Sequence, residues 1–404
     1  MTQRGLPDPG VRSLVRAMRG RDPGEEHRAS TPLELFFDLV FVVAVALAAE
    51  RLHHGLLEDP IGSILSYLLV FFAIWWAWVN FTWFASAYDT DDVVYRLTVL
   101  VIMTGALVMA AGLPQTFDER EFAVTVVGYV IMRVALVALW LRVAREDPPR
   151  RQTARRFAAG VTACQLGWLG FLVLAPSLWP LAWLVLVPAE LLVPYWAERA
   201  APTTWHPAHI AERYGLFMII VLGESVLASS LAIQTVVGDG LQPQLVPVIV
   251  GGLLIVYSMW WIYYDRPDEH MLESTGTAYV WSYLHLPIFA SAAAVGAGLV
   301  VAIEEAAGHS SLGWPRVGAY VAIPLATYLI SLWLLYLRLR LGTAHRLLIP
   351  ATAMLLLLSV VTPAPLLAIG LVLAASVGVK IGLRLRTVAG GGRQVEGPAA
   401  HSTS

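Results

Sequence analysis

A chain of 404 residues that is 57% hydrophobic and 14% charged, with a mean hydropathy of +0.66, lies outside the range of soluble domains. These figures exclude a disordered chain, a nucleic-acid binder and a typical soluble enzyme, and a net charge of −2 gives no global field to recruit a charged partner. The single cysteine, Cys164, excludes an intramolecular disulfide framework and any multi-cysteine metal site.

Residues 1–30 are polar and basic and lack the apolar core of a cleavable signal peptide. Within them Val11, Leu14, Val15 and Met18 recur at helical spacing, with Arg12, Arg16 and Arg19 on other faces. That pattern suits a short helix lying on the inner leaflet, with a basic tail as the alternative. A membrane helix needs roughly 20 mostly apolar residues. Twelve such stretches follow, near 33–50, 61–87, 94–113, 121–141, 157–175, 179–197, 213–233, 245–264, 278–302, 317–337, 345–361 and 364–383. Their length and even apolarity predict helices rather than barrel strands, so the expected fold is an all-α polytopic membrane protein.

Arginine sets the expected orientation, since Lys380 is the sole lysine. The N-terminal tail, the loop after the fourth stretch (Arg142 to Arg156), the loop after the tenth (Arg338, Arg340, Arg346) and the C-terminal end carry the positive charge. With twelve spans all fall on one side, which places both termini in the cytoplasm. The Gly- and Ser-containing residues 387–404 read as a disordered tail.

Two halves are expected, 31–200 and 201–386, as six-helix pseudo-repeats. Glu34 and Glu212 each open a half. Tyr88-Asp89-Thr90-Asp91-Asp92 follows Glu34 and Tyr264-Asp265-Arg266-Pro267-Asp268 follows Glu212, each after a tryptophan pair, Trp75-Trp76 or Trp260-Trp261. An even number of spans per half gives both halves one orientation.

The segment Thr31-Pro32-Leu33-Glu34-Leu35-Phe36-Phe37-Asp38-Leu39-Val40-Phe41-Val42 resembles the opening signature of the bacterial low temperature requirement protein A family. Glu212-Arg213-Tyr214-Gly215-Leu216-Phe217-Met218-Ile219-Ile220-Val221-Leu222-Gly223-Glu224-Ser225 is similar to its second signature. The resemblance runs from about Pro32 to the last span. It implies a polytopic bacterial inner-membrane protein and carries no reaction, substrate or cofactor, so function has to come from the residues.

Ionisable groups inside a bilayer cost about 2.5–3.5 kcal/mol on insertion scales, so each needs a partner, a wet cavity or a role. Glu34 and Asp38 share one helix face, and adjacent acids in low dielectric can share a proton. Thr31-Pro32-Leu33-Glu34 also reads as a capping box. Glu224 lies about 18 Å into the seventh stretch, near mid-membrane. Flanking Gly223 and Ser225 would admit a neighbouring helix. Arg133 could neutralise Glu224 or Glu190, and Arg96 stands at the depth of Asp38 or Asp89. His285 is a candidate proton relay, with hydrogen-bonded packing as the alternative. Asp89/Asp92 and Asp265/Asp268 could hold Mg²⁺ that bridges a diphosphate, with Arg96 on the phosphate. The competing reading is loop acids opposite arginines. Most tryptophans, among them Trp75, Trp76, Trp78, Trp83, Trp179 and Trp183, read as interfacial anchors.

The expectation is a proton-coupled secondary transporter of an unidentified small molecule. Glu34, Asp38, Glu212, Glu224, Arg133 and His285 are its candidate residues, membrane lipids its surroundings, and no nucleic acid or resident cofactor is expected. The alternatives are an intramembrane enzyme acting on a lipid or prenyl diphosphate with Mg²⁺, and a non-catalytic membrane-homeostasis protein. Oligomeric state is not set by the sequence.

Overall fold

The computed structural model describes residues 15–22, 24–25, 28–237, 243–265, 272, 274–336 and 343–391. Its regular elements are helical among the described residues: α1 Pro32–Glu58, α2 Pro60–Tyr88, α3 Val93–Ala111, α4 Leu113–Asp118, α5 Ala123–Glu146, α6 Arg151–Phe171, α7 Trp179–Glu198, α8 Pro207–Val237, α9 Leu245–Tyr264, α10 Thr275–Ala306, α11 Trp314–Tyr336, α12 Thr343–Leu358 and α13 Pro365–Gly391. Each expected apolar stretch overlaps one of these helices. Ten of the helices are long and apolar enough to cross a membrane. The two that fall short are α6, whose first turns carry Arg151, Arg155 and Arg156, and α12, which has 16 residues.

Helix starts follow the local sequence. Thr31 caps α1 by a capping box with Glu34, Asp59 caps α2 ahead of Pro60, and Asp92 caps α3 by accepting the Tyr95 N–H. His206 serves α8 in the same way, with its Nδ1 accepting the His209 N–H at 3.3 Å ahead of Pro207. An oxygen or nitrogen acceptor at this position satisfies a helix-end donor that would otherwise be orphaned.

The described residues fall into two compact units, one within Met1–Glu224 and Pro267–Leu286, the other within Ser225–Arg266 and Pro287–Ser404. The boundaries pass through α8 and α10.

In the first unit α2 is the central helix, with nearly every residue from Val70 to Tyr88 buried. Trp75, Trp76 and Trp78 are almost fully enclosed, so these three are core residues, not interfacial anchors. The reason is hydrogen bonding: buried indoles at two of them donate to carboxylates, as described below. Helices α3 and α5 meet backbone to backbone, because a Cβ on Gly128 would stand 2.3 Å from the Met109 nitrogen and 2.6 Å from the Gly105 oxygen. Small residues at such crossings let membrane helices gain packing contacts. Helix α7 presents an exposed apolar face that includes Leu184 and Leu192, as a lipid-facing helix must.

In the second unit α9 packs on α13, with Gly251 against the Leu366 backbone. Ser225 of α8 lies against Gly296 of α10. The close approach expected around Glu224 is made by Ser225 and not by Gly223, whose Cβ would meet nothing within 4 Å.

Residues 15–22 are not helical. The amphipathic surface helix expected over Val11 to Met18 is therefore absent from its described part, and Val11 and Leu14 lie outside the described residues. The chain there is held by long-range hydrogen bonds instead: the Arg16 N–H donates to the Asp92 side chain (2.9 Å), the Met18 N–H to that of Glu146 (2.6 Å), and the Arg21 N–H to the Ala87 carbonyl (3.0 Å). At the other end α13 runs to Gly391, beyond the expected boundary at 386, and the rest of the tail lies outside the described residues.

Candidate functional site

The two signatures meet in the first unit. Asp38, one turn along α1 from Glu34, receives a two-pronged contact from Arg213 of α8, Nε to Oδ2 at 2.8 Å and Nη2 to Oδ1 at 2.5 Å. Arg213 Nη1 lies 3.1 Å from Glu34 Oε1, so one planar guanidinium faces both acids. Glu34 also faces the His209 ring at 3.2 Å and the Arg28 guanidinium at 3.6 Å. Asp38 accepts a further hydrogen bond from the Trp78 indole at 2.7 Å. Glu34, Asp38, Arg213 and His209 are all at most 1% exposed. With His209 neutral the centre balances: two carboxylates, Glu34 and Asp38, against two guanidiniums, Arg28 and Arg213. Burying four charges is tolerable only with such pairing.

Arg28 is anchored from the other side by the carbonyls of Ser86 and Ala85 at the end of α2. Burial lowers its pKa, and Glu34 counteracts the shift. Next to this end lies Asp89, just past α2. Burial first and the Glu34 carboxylate second push its pKa up to about 6, against the pull of Arg28.

A second buried ionic group holds α2, α5, α6 and α7 in register. Glu190 pairs with Arg133 and accepts from the Trp76 indole (2.9 Å), the Tyr129 hydroxyl (3.1 Å) and the Trp168 indole (3.3 Å). Of the two partners weighed for Arg133, Glu190 is the one in contact.

The same unit holds a pocket, part of it open to the surroundings. Its walls include Trp76, Trp83, Trp140, Tyr279 and Tyr283, with Glu198 as its carboxylate. Trp76 connects this wall directly to Glu190. The link to the first centre runs through Tyr214. Its ring lies 4.8 Å from that of Trp78, and its hydroxyl meets the Trp83 indole at 3.2 Å and Ser282, another wall residue, at 2.6 Å.

The remaining candidates take other places. Glu212 is exposed and accepts from the Ser30 N–H at 3.4 Å. Glu224 is half-buried. His285 is 2% exposed, its Nδ1 2.7 Å from the Trp281 carbonyl and its ring 4.1 Å from that of Trp281, which is a packing environment. Arg96 lies on the exposed side of α3 and clasps Asp91 with contacts of 2.7 and 2.8 Å; it reaches neither Asp38 nor Asp89. Asp92 pairs with Arg142, and although burial opposes ionisation, hydrogen bonds from Arg142 and two backbone N–H groups hold its pKa at about 2. In the second unit Asp265 pairs with Lys380 (2.6 Å) and Arg384 (2.5 Å). Asp268 lies outside the described residues. Among the described residues no three His, Cys, Asp or Glu side chains form a group able to hold a metal ion.

Sequence reasoning passed over Arg213, Arg28, His209, Trp78 and Glu198. A signal for Arg213 was available: an arginine inside an apolar stretch needs a counter-charge, and the first signature offers two.

A curated relative, the uncharacterized protein RA0937 of Rhizobium meliloti (strain 1021), is 31% identical over 283 residues, which is 65% of this chain and 67% of the relative. The family model for the bacterial low temperature requirement A protein matches residues 29–380, a stretch that contains both signatures with Glu34, Asp38 and Arg213. The chain belongs to the bacterial low temperature requirement A family.

Proposed function

We propose that this protein is a proton-coupled secondary transporter of a small molecule. The observation that carries the reading is the charge-balanced centre of Glu34, Asp38, Arg213 and Arg28, joined to a cavity wall through Trp78 and Tyr214. A proton taken up by Asp38 removes one of the two negative charges that hold Arg213. The two-pronged contact then loses its electrostatic support, and the helix carrying Tyr214 is freed to reposition against Trp83 and Ser282. Proton occupancy and cavity shape become two faces of one equilibrium, which is the requirement for coupling. The half-buried Glu224 on the same helix is the second candidate for a proton-carrying acid.

The test is solute-driven proton flux. Purified protein is reconstituted into liposomes containing a pH-sensitive dye, a pH gradient is imposed, and pools of amines, amino acids, organic acids and sugars are added. At least one pool is expected to accelerate collapse of the gradient with the parent protein and not with Asp38→Asn. Glu224→Gln is expected to abolish the effect without loss of folded protein. No acceleration by any pool, or equal acceleration by Asp38→Asn, refutes the coupling.

A further inference from the structure

We propose that the aromatic cavity of the first unit is a binding site for a small organic cation, an alkylammonium or quaternary ammonium compound, with Glu198 as its counter-charge. The inference rests on the transport reading only in naming the cation as the transported solute. The site itself stands on its geometry.

The lining points to this ligand chemistry. Glu198 has no ion-pair partner among the described residues, unlike Glu34, Asp38, Glu190, Asp92 and Asp265. Among the described residues its hydrogen-bonding neighbours are neutral hydroxyls, those of Thr203 and Tyr279. The Tyr279 hydroxyl, in the same lining, is buried facing Glu198. A buried carboxylate with only neutral partners is unfavourable unless a positive charge arrives to match it.

The walls supply the second half of the recognition. Trp83 and Tyr279 have ring centroids 6.4 Å apart, Tyr279 and Tyr283 stack at 6.0 Å, and Tyr283 meets Trp76 edge-on at 5.8 Å. Aromatic faces attract a cation within about 6 Å of the ring centroid, and cages of several rings recognise alkylated ammonium groups. The nearby arginines are already committed: Arg199 to the Tyr195 ring and hydroxyl, Arg150 to Asp147 and the Pro202 carbonyl. Among the described residues no guanidinium therefore competes for Glu198. An apolar aromatic wall with one carboxylate favours a weakly hydrated organic cation over Na⁺ or K⁺, because the rings cannot replace a tightly held hydration shell.

The test is equilibrium binding to the full-length protein in detergent, read by quenching of tryptophan fluorescence and by the thermal-unfolding midpoint. The probes are tetraethylammonium, choline, the neutral choline isostere 3,3-dimethylbutanol, NaCl and KCl. The expected result is saturable quenching and stabilisation by the two organic cations, with the neutral isostere at least tenfold weaker. Glu198→Gln is expected to weaken tetraethylammonium binding at least tenfold, and Tyr283→Leu to weaken it while Tyr283→Phe restores it. Equal binding of isostere and cation, equal response to NaCl or KCl, or unchanged binding by Glu198→Gln overturns the proposal. If Glu198→Gln does not yield folded protein, the Tyr283 pair and the isostere comparison decide. Cation binding without proton-coupled flux in liposomes overturns the transport reading alone. Proton-coupled flux of another solute without cation binding overturns this inference alone.

Discussion

Replacing Arg213 by Met tests the ionic centre most directly. Arg213 is fully buried, makes both hydrogen bonds to Asp38 and stands 3.1 Å from Glu34. The substitution keeps an unbranched apolar stem but leaves two carboxylates facing one guanidinium, a net charge of −1 out of reach of water. Removing one partner of a buried pair costs about 3–5 kcal/mol, because the remaining charge is uncompensated. Asp38→Asn makes the opposite error, leaving a net +1, and is expected to cost a comparable amount. Asp38→Asn together with Arg213→Met returns the group to neutrality with Glu34 against Arg28. The double variant is then expected to lose less than the sum of the two single losses by at least about 2 kcal/mol, a coupling energy in the range for residues in direct contact. The assay is reversible unfolding in mixed micelles on titration with SDS, followed by tryptophan fluorescence and extrapolated linearly. Additive losses in the double variant, or an Arg213→Met protein within about 1 kcal/mol of the parent, would refute the charge-balance argument.

Three other outcomes are expected. Asp89 titrates near 6 in the folded chain and near 3.8 when unfolded, so the folded state holds this proton more tightly. That contribution is fully present below about pH 4 and is lost as the pH rises through about 6; Asp89→Asn should remove this slope from a plot of thermal midpoint against pH. Glu190→Ala strands the Arg133 guanidinium and three donors, and should lower unfolding stability by about 3–5 kcal/mol, whereas Glu190→Gln, which keeps an acceptor, should cost less. Gly128→Ala places a methyl group on the Met109 backbone and should sharply reduce the monodisperse yield in size-exclusion chromatography, while Gly223→Ala, with no neighbour within 4 Å, should behave as the parent.

Several features of the site were legible in the chain. The Thr31–Glu34 capping box has the expected geometry, because it depends only on residues within one turn. Asp38 was marked by its place in an apolar helix, where a charge has to be answered. The Glu190–Arg133 pair was one of two matches offered by membrane depth. Depth alone could not choose between Glu190 and Glu224, since the choice depends on how each helix is rotated about its axis. The same rotation separates adjacent residues of the second signature: Glu212 faces outward and Arg213 is fully buried. The tryptophans mislead for a related reason. A cluster near a span end reads as an interfacial belt, yet Trp76 and Trp78 point inward to carboxylates that lie 114 and 40 residues away in the chain.

The amino-acid sequence by itself determined that this is a helical chain with long apolar spans, where many of the helices begin, and which family it belongs to. These follow from composition, apolar run length, caps within one turn and two contiguous signatures, all local in the chain. Only the tertiary structure decided which acids meet which arginines, that Arg213 joins the two signatures, and that Glu198 faces aromatic walls without a cationic partner. Those facts depend on helix rotation and on pairing across 57 residues between Arg133 and Glu190, and across 175 between Asp38 and Arg213. Low-dielectric surroundings make an unpaired charge costly, so each packed helix has to bring its charge to a partner, while nothing in the local sequence distinguishes the right partner from the wrong one.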